Sequence, residues 1–173
     1  MKKHNPVIIL GSSNSHGDTY KIVSFLNTNF NIPIIDLGTK NISEFDYEHK
    51  NRGDDFIGLM KEITNNFDTI ILATPIYWYT MSAKMKIFLD RFSDLLKIQK
   101  PVGRKLRGMN MAVVSCGSDK ELKEGFHMPF KETANYLGMN YVGDVHTWVS
   151  ENFIEENVRD EIRTFAEKIE VVE

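Results

Sequence analysis

Apolar runs and amphipathic stretches alternate along the whole chain, the pattern that builds a parallel sheet with helices on both faces. Val7 to Leu10 predicts a first strand, and residues 17–28 a helix with Ile22, Val23, Phe25 and Leu26 on or near one face. Ile32-Pro33-Ile34-Ile35 reads as a second strand. Pro33 cannot donate to a ladder, so this strand belongs at a sheet edge. A polar stretch from Gly38 to Asp55 precedes a helix near 54–66, and Thr69 to Ala73 is the run expected of a central strand buried on both faces.

Residues 82–98 place Met85, Phe88, Leu89, Phe92, Leu95 and Leu96 at helical spacing, with Lys84, Lys86, Arg91 and Asp94 on other faces, which predicts one continuous helix. Met109 to Ser115 predicts a fourth strand, 127–137 a helix ended by Gly138, and Tyr141 to Val149 a fifth strand. A last helix over 153–169 carries Ile154, Val158, Ile162, Phe165 and Ile169 on one stripe. Five strands and about five helices in this order predict a doubly wound α/β fold, a five-stranded parallel sheet of order 2-1-3-4-5. At 173 residues, with no internal repeat or linker, residues 1–173 read as a single domain.

Composition narrows the function classes. Hydrophobic residues make up 42% and charged residues 26%, ordinary for a folded domain, and the net charge of −3 fits neither a nucleic-acid binder nor a strongly acidic dedicated electron carrier. The segment 151–173 has eight acidic and three basic residues, which further opposes nucleic-acid binding. Cys116 is the one cysteine, so no internal disulfide forms, and no Cys/His cluster has metal-binding spacing. Lys2 and Lys3 ahead of Val7 to Leu10 resemble a leader peptide, but four apolar residues are too few, and no run is long enough to span a membrane. The expectation is a cytoplasmic protein with no membrane, metal or nucleic-acid partner.

In open α/β sheets, ligands bind beyond the carboxyl ends of the strands at the topological switch point, here between the first and third strands. The loop after the first strand reads Gly11-Ser12-Ser13-Asn14-Ser15-His16-Gly17-Asp18-Thr19 and leads straight into a helix. Hydroxyls and free backbone N–H groups at a helix N-terminus suit phosphate. They also suit simple helix capping, since Ser, Asn and Asp are the usual caps. The dinucleotide fingerprint and the nucleoside-triphosphate loop both fail on spacing, and the acidic residues expected of a phosphorelay receiver are absent. The loop after the third strand, Thr74 to Ser82, carries Tyr77, Trp78 and Tyr79 in a row. Three successive side chains cannot all point inward, so some face a flat aromatic ligand, a second subunit, or both.

GSSNSHGDT followed by a helix, then ATPIYWYTMSAKMKIFLDR about fifty-five residues later, resembles the NAD(P)H-dependent FMN reductases of the flavodoxin-like superfamily, with VVSCGS and YLGMNYVG fitting as well. The resemblance implies FMN with its phosphate at Ser12, Ser13, Asn14, Ser15, His16, Gly17, Asp18 and Thr19. Its ring would lie against Pro75, Ile76, Tyr77, Trp78 and Tyr79, with Ser115 and Gly117 in the loop at its other side. It also implies NADPH or NADH as co-substrate, hydride transfer to flavin N5, and electrons passed to a quinone, a flavin or another small-molecule acceptor. The flavin carries the chemistry, so no catalytic side chain is required. Two positions depart from the family pattern: Asn14 stands where Arg is common, and Asp18 where Asn is. Both changes reduce attraction for phosphate, and a protonated His16 would offset part of the loss.

Two other classes compete with this reading: a one-electron carrier of flavodoxin type, and a binding module without FMN. A homodimer is expected, with the segment from Tyr77 through the 82–98 helix at or near the interface. His127 reads as a cap or surface residue, Cys116 as a buried small hydrophobe, and the run Lys97, Lys100, Arg104, Lys105 and Arg107 as a solvated loop rather than a nicotinamide-phosphate site.

Overall fold

A computed structural model describes residues 4–170. The strands are β1 (Pro6–Leu10), β2 (Ile34–Asp36), β3 (Thr69–Tyr77), β4 (Thr80–Met81), β5 (Asn110–Gly117) and β6 (Asn140–Trp148). The helices are α1 (Asp18–Phe30), α2 (Asp55–Asn66), α3 (Ala83–Asp90), α4 (Phe92–Lys97), α5 (Lys100–Lys105), α6 (Met128–Leu137) and α7 (Glu156–Glu170). The sheet runs β2-β1-β3-β5-β6, and β4 pairs antiparallel with the end of β3. Leaving out the two-residue β4, the parallel strands follow the expected order 2-1-3-4-5, the flavodoxin-like arrangement.

Side chains of the central strands alternate between two apolar layers, as the two-residue period of a strand requires. Val7, Ile9, Ile70, Leu72, Met111 and Val113 pack with Phe56, Met60, Phe88 and Phe130 on one face. Ile8, Leu10, Ile71, Ala73, Ala112 and Val114 pack with Ile22, Leu26, Val158 and Ile162 on the other. β2 is an edge strand, as expected, although Pro33 sits just before it and not within it.

Three expectations are corrected. The helix expected over 82–98 is broken at Arg91 into α3 and α4, and α5 follows where a solvated basic loop was expected. Arg91 and Asp94, placed on faces other than the apolar stripe, are nonetheless 0% and 2% exposed. The cause is a buried ionic cluster that draws Arg91 inward. Its guanidinium donates to Asp94 (2.7 Å), to both oxygens of Asp54 (2.5 and 3.2 Å) and to the carbonyls of Ser43 (2.9 Å) and Asn51 (3.2 Å). These contacts match the five donors of the group. Asp94 also meets His49 Nδ1 at 2.6 Å, and Arg91 lies 4.9 Å over the Phe56 ring. Arg104, Lys105 and Arg107 lead into the start of β5, so they lie at the end of the sheet opposite the carboxyl ends.

The cluster organises the polar segment expected between Gly38 and Asp55. Asp54 caps α2 through the Phe56 N–H (3.0 Å), accepts from the Ser43 N–H (2.9 Å) and neutralises Arg91 at the same time. Burial raises the Asp54 carboxyl pKa, but Arg91 and the Ser43 and Phe56 N–H groups outweigh it and hold the group below its ordinary 3.8. The unfolded chain therefore binds more protons near that pH. The stability supplied by Asp54 is complete above about pH 4 and is lost as pH falls through the lower folded value. Arg91→Met leaves two carboxylates buried without their cation, and urea denaturation at pH 7 is expected to register a loss of roughly 3–5 kcal/mol.

Candidate functional site

The carboxyl ends of β1 and β3 are joined by a short chain of hydrogen bonds. Gly11 N–H donates to the Ala73 carbonyl (2.8 Å), and the Ser82 hydroxyl donates to the Gly11 carbonyl. Ser82 N–H donates to Thr74 Oγ1 (3.0 Å), and Ser82 Oγ also caps α3 by accepting from Met85 N–H (3.1 Å). Gly11 fits because nothing larger does: a Cβ there would lie 2.8 Å from Met85 Cε and 2.9 Å from its Cβ. The hydroxyl loop and the aromatic loop therefore leave the sheet side by side.

In the first loop, Ser12 and Thr19 are each 3% exposed, while Ser13, Asn14, His16 and Asp18 face solvent. Ser12 Oγ accepts from the Asn14 N–H (3.1 Å), and Asn14 Oδ1 accepts from the His16 N–H (2.9 Å), so two side chains shape the loop. The first internal bond of α1 runs from Lys21 N–H to the Gly17 carbonyl (3.2 Å). The amides of Asp18, Thr19 and Tyr20 precede it, and the cap residue Gly17 has no side chain to satisfy them. Capping by the loop's own residues, the simpler alternative, is not what this helix uses. Asp18 turns instead to Lys21 (2.8 Å).

The aromatic segment is a hairpin. β3 continues through Tyr77, Trp78 and Tyr79 form a two-residue turn, and β4 returns with Ile76 opposite Met81 and Tyr77 opposite Thr80. Trp78 (φ 48°) and Tyr79 (φ 67°) both lie in the left-handed region, as a type I′ hairpin turn requires. Side-chain-bearing residues there cost about 1–2 kcal/mol each. Pro75 is buried and Ile76 half-buried, while Tyr77, Trp78 and Tyr79 are 43%, 91% and 67% exposed.

Beside the hairpin lies a cavity of about 470 Å³, lined by Ile76, Trp78 and Tyr79 on one side and Gly117, Leu122 and Phe126 among others on the other. Of the two residues expected from the β5 loop, Gly117 lines it. Ser115 is fully buried, and its hydroxyl meets His146 Nδ1 at 3.0 Å. His146 Nε2 lies 3.0 Å from the Asp119 carbonyl, which can only accept, so Nε2 donates to it; in the tautomer protonated on Nε2 alone, Nδ1 accepts from the Ser115 hydroxyl. This histidine ties the cavity wall to β6, and a Cβ on Gly117 would stand 2.9 Å from its Cε1. Asp119, also on the wall, is held below the ordinary carboxylate pKa by the Glu121 N–H and the Ser118 hydroxyl.

The sequence reading missed residues 119–126 and His146. The loop could have been found by extending the switch-point rule to β5, the next neighbour of β3. His146, alone on an edge strand, gave no signal. His127 stands at the N-cap position of α6, as expected, but its side chain makes no cap bond: it is half-buried beside Asp144 (3.1 Å), and burial lowers its pKa. Cys116 is buried as expected, and desolvation pushes its thiol up to about 11. Among the described residues no helix is long and apolar enough to cross a membrane.

The resemblance carried by the two loops is borne out by comparison with known proteins. A family model described as NADPH-dependent FMN reductase matches residues 5–153. A Bacillus subtilis (strain 168) protein named as an NAD(P)H-dependent FMN-containing oxidoreductase, YwqN, is 30% identical over 96 residues, 53% of this chain and 52% of its own length. An NADPH azoreductase of Bacillus sp. (strain OY1-2) is 27% identical over 96 residues, 56% of this chain and 54% of its own. Each match thus spans about half of the relative's length. Among solved structures, the Trp repressor binding protein from Bacillus subtilis superposes with a TM-score of 0.74 at 20% identity, covering 97% of this chain and 99% of that one, which supports the fold.

Replacing the strained turn by Trp78→Asn with Tyr79→Gly, residues at ease with positive φ, is expected to raise the free energy of unfolding of the flavin-free protein by about 1–2 kcal/mol. Urea denaturation checks this, and an unchanged midpoint would contradict it.

Proposed function

Because the chain belongs to the NADPH-dependent FMN reductase family, we propose that its switch-point site binds FMN and uses it to oxidise NADPH or NADH and reduce a small-molecule acceptor. The observation that carries this reading is the bonded junction of Gly11, Ala73 and Ser82, which sets an anion-seeking loop beside an aromatic hairpin. The residues fit the cofactor. The uncapped first-turn amides of α1, with the Ser12 and Thr19 hydroxyls nearby, suit a terminal phosphate. The apolar faces of Ile76, Trp78, Leu122 and Phe126, with the backbone of Gly117, suit a flat heteroaromatic ring that needs both stacking and hydrogen bonds.

FMN, when bound, supplies the redox chemistry by taking up a hydride from the nicotinamide and passing electrons to the acceptor. The chain's own task is to hold the phosphate, orient the ring, and keep one side of it open. Azo compounds and quinones are the acceptor classes we assign, and FMN is favoured over its adenine dinucleotide because one helix N-terminus serves one terminal phosphate. The location is proposed to be cytoplasmic, in keeping with a single thiol and no disulfide. A homodimer is proposed as well, with the exposed Tyr77, Trp78 and Tyr79 covered by the second subunit.

Flavin-fluorescence titration tests the site. Ser12→Ala and Thr19→Ala are each expected to weaken FMN binding about tenfold, since each removes a hydrogen bond to a charged group, and His16→Ala to weaken it less than about threefold. No binding by the unaltered protein would refute the reading. Sedimentation of the flavin-loaded protein at micromolar concentration is expected to give twice the 20.0 kDa chain mass. A monomer mass would remove the dimer from the account.

A further inference from the structure

The phosphate loop carries a carboxylate where it is least welcome. Asp18 opens α1, and an acid in a first turn is attracted by the same helix dipole and the same amides that a phosphate would use. Free to move, it would both compete for those donors and repel a dianion. It is not free. Lys21, one turn further along α1, donates to Asp18 Oδ1 at 2.8 Å, and the pair is neutral.

Lys21 is itself held from a second direction. Its ammonium donates to Asn152 Oδ1 at 3.1 Å, across 131 residues of sequence. Asn152 lies in the turn that follows β6, where Ser150 and Phe153 exchange backbone bonds at 3.0 and 2.9 Å around Glu151 (φ 48°) and Asn152 (φ 71°). The turn is a tight two-residue one that sets the Asn152 backbone, and from there its exposed side-chain oxygen accepts from the ammonium. Three other side chains of the loop have partners of their own: Asn14 Oδ1 accepts from His16 N–H, Ser12 Oγ from Asn14 N–H, and the His16 ring stands edge-on to Tyr20 at 5.8 Å.

From this arrangement we infer that Lys21, anchored on Asn152, is a positioning residue that holds the Asp18 carboxylate aside so that the α1 N-terminus can receive the phosphate of FMN. The inference rests on the reading of this loop as the phosphate site. It accounts for an acid being tolerated there: the carboxylate is turned along the helix surface towards a fixed cation, not towards the open amides. Lys21 acts through Asp18 and need not touch the ligand.

The test is a double-mutant cycle read by affinity for two flavins, FMN and riboflavin, which differ by the phosphate alone. Wild type, Lys21→Met, Asp18→Asn and the double variant are titrated as full-length flavin-free proteins by fluorescence quenching. Lys21→Met is expected to weaken FMN binding about tenfold, from the released carboxylate, and riboflavin binding less than about twofold. In the Asp18→Asn background the same change should cost FMN no more than about threefold, because no carboxylate remains to be released. Asp18→Asn alone should improve FMN binding by no more than about threefold, since the carboxylate already stands aside. Lys21→Arg should stay within about twofold of wild type.

Equal losses from Lys21→Met in both backgrounds would overturn the inference, because Lys21 would then act as an independent charge. So would an equal loss of riboflavin, which signals a structural role, or a gain of tenfold or more from Asp18→Asn. Should Lys21→Met fail to fold, the Asp18→Asn and Lys21→Arg values decide. Failure of wild type to bind FMN is a different result and refutes the function proposed above.

Discussion

The arrangement of the two loops at the carboxyl end of the sheet hangs on one contact, the close approach of β1 and the start of α3 at Gly11. Its carbonyl takes the Ser82 hydroxyl and its amide reaches the Ala73 carbonyl, while Met85 fills the space a side chain would need. The constraint is steric and polar at once. Ser82 caps α3 and holds Gly11 with its hydroxyl while Thr74 Oγ1 accepts its N–H, so three residues from two loops share one arrangement. The hydroxyl loop and the aromatic hairpin are positioned by that arrangement, and their chemistry follows from being adjacent.

A second constraint sits away from the site. Arg91 gathers Asp54, Asp94 and the carbonyls of Ser43 and Asn51 into a buried cluster that orders a long polar segment. Replacing such a cluster with apolar residues is often neutral or favourable to stability, whereas removing one partner is not. Its value here is geometrical: it breaks the helix after Asp90, and the Phe56, Phe88 and Phe92 rings pack around the break.

The sheet was legible because Val7 to Leu10 and Thr69 to Ala73 are continuous apolar runs, and buried parallel strands leave that mark. The break at Arg91 was not, since helical spacing continues through it and the partner, Asp54, lies 37 residues earlier in sequence. For the site, glycine, serine and aromatic positions marked both loops, because small or flat residues at strand ends have few structural uses. The cavity wall from Asp119 to Phe126 is polar and irregular, and its tie to His146 joins two strands that only the folded sheet brings together. At the start of α1 the acid stood out, but Asn152, which accepts from its partner Lys21, belongs to a distant turn.

The most direct measurement is a map of amide shifts in labelled protein, taken with FMN and again with riboflavin. Both flavins are expected to shift Ile76 to Tyr79 and Gly117 to Phe126, and FMN alone to shift Ser12 to Thr19. Shifts from both flavins confined to other surfaces, such as the groove between β6 and α7, would contradict that expectation.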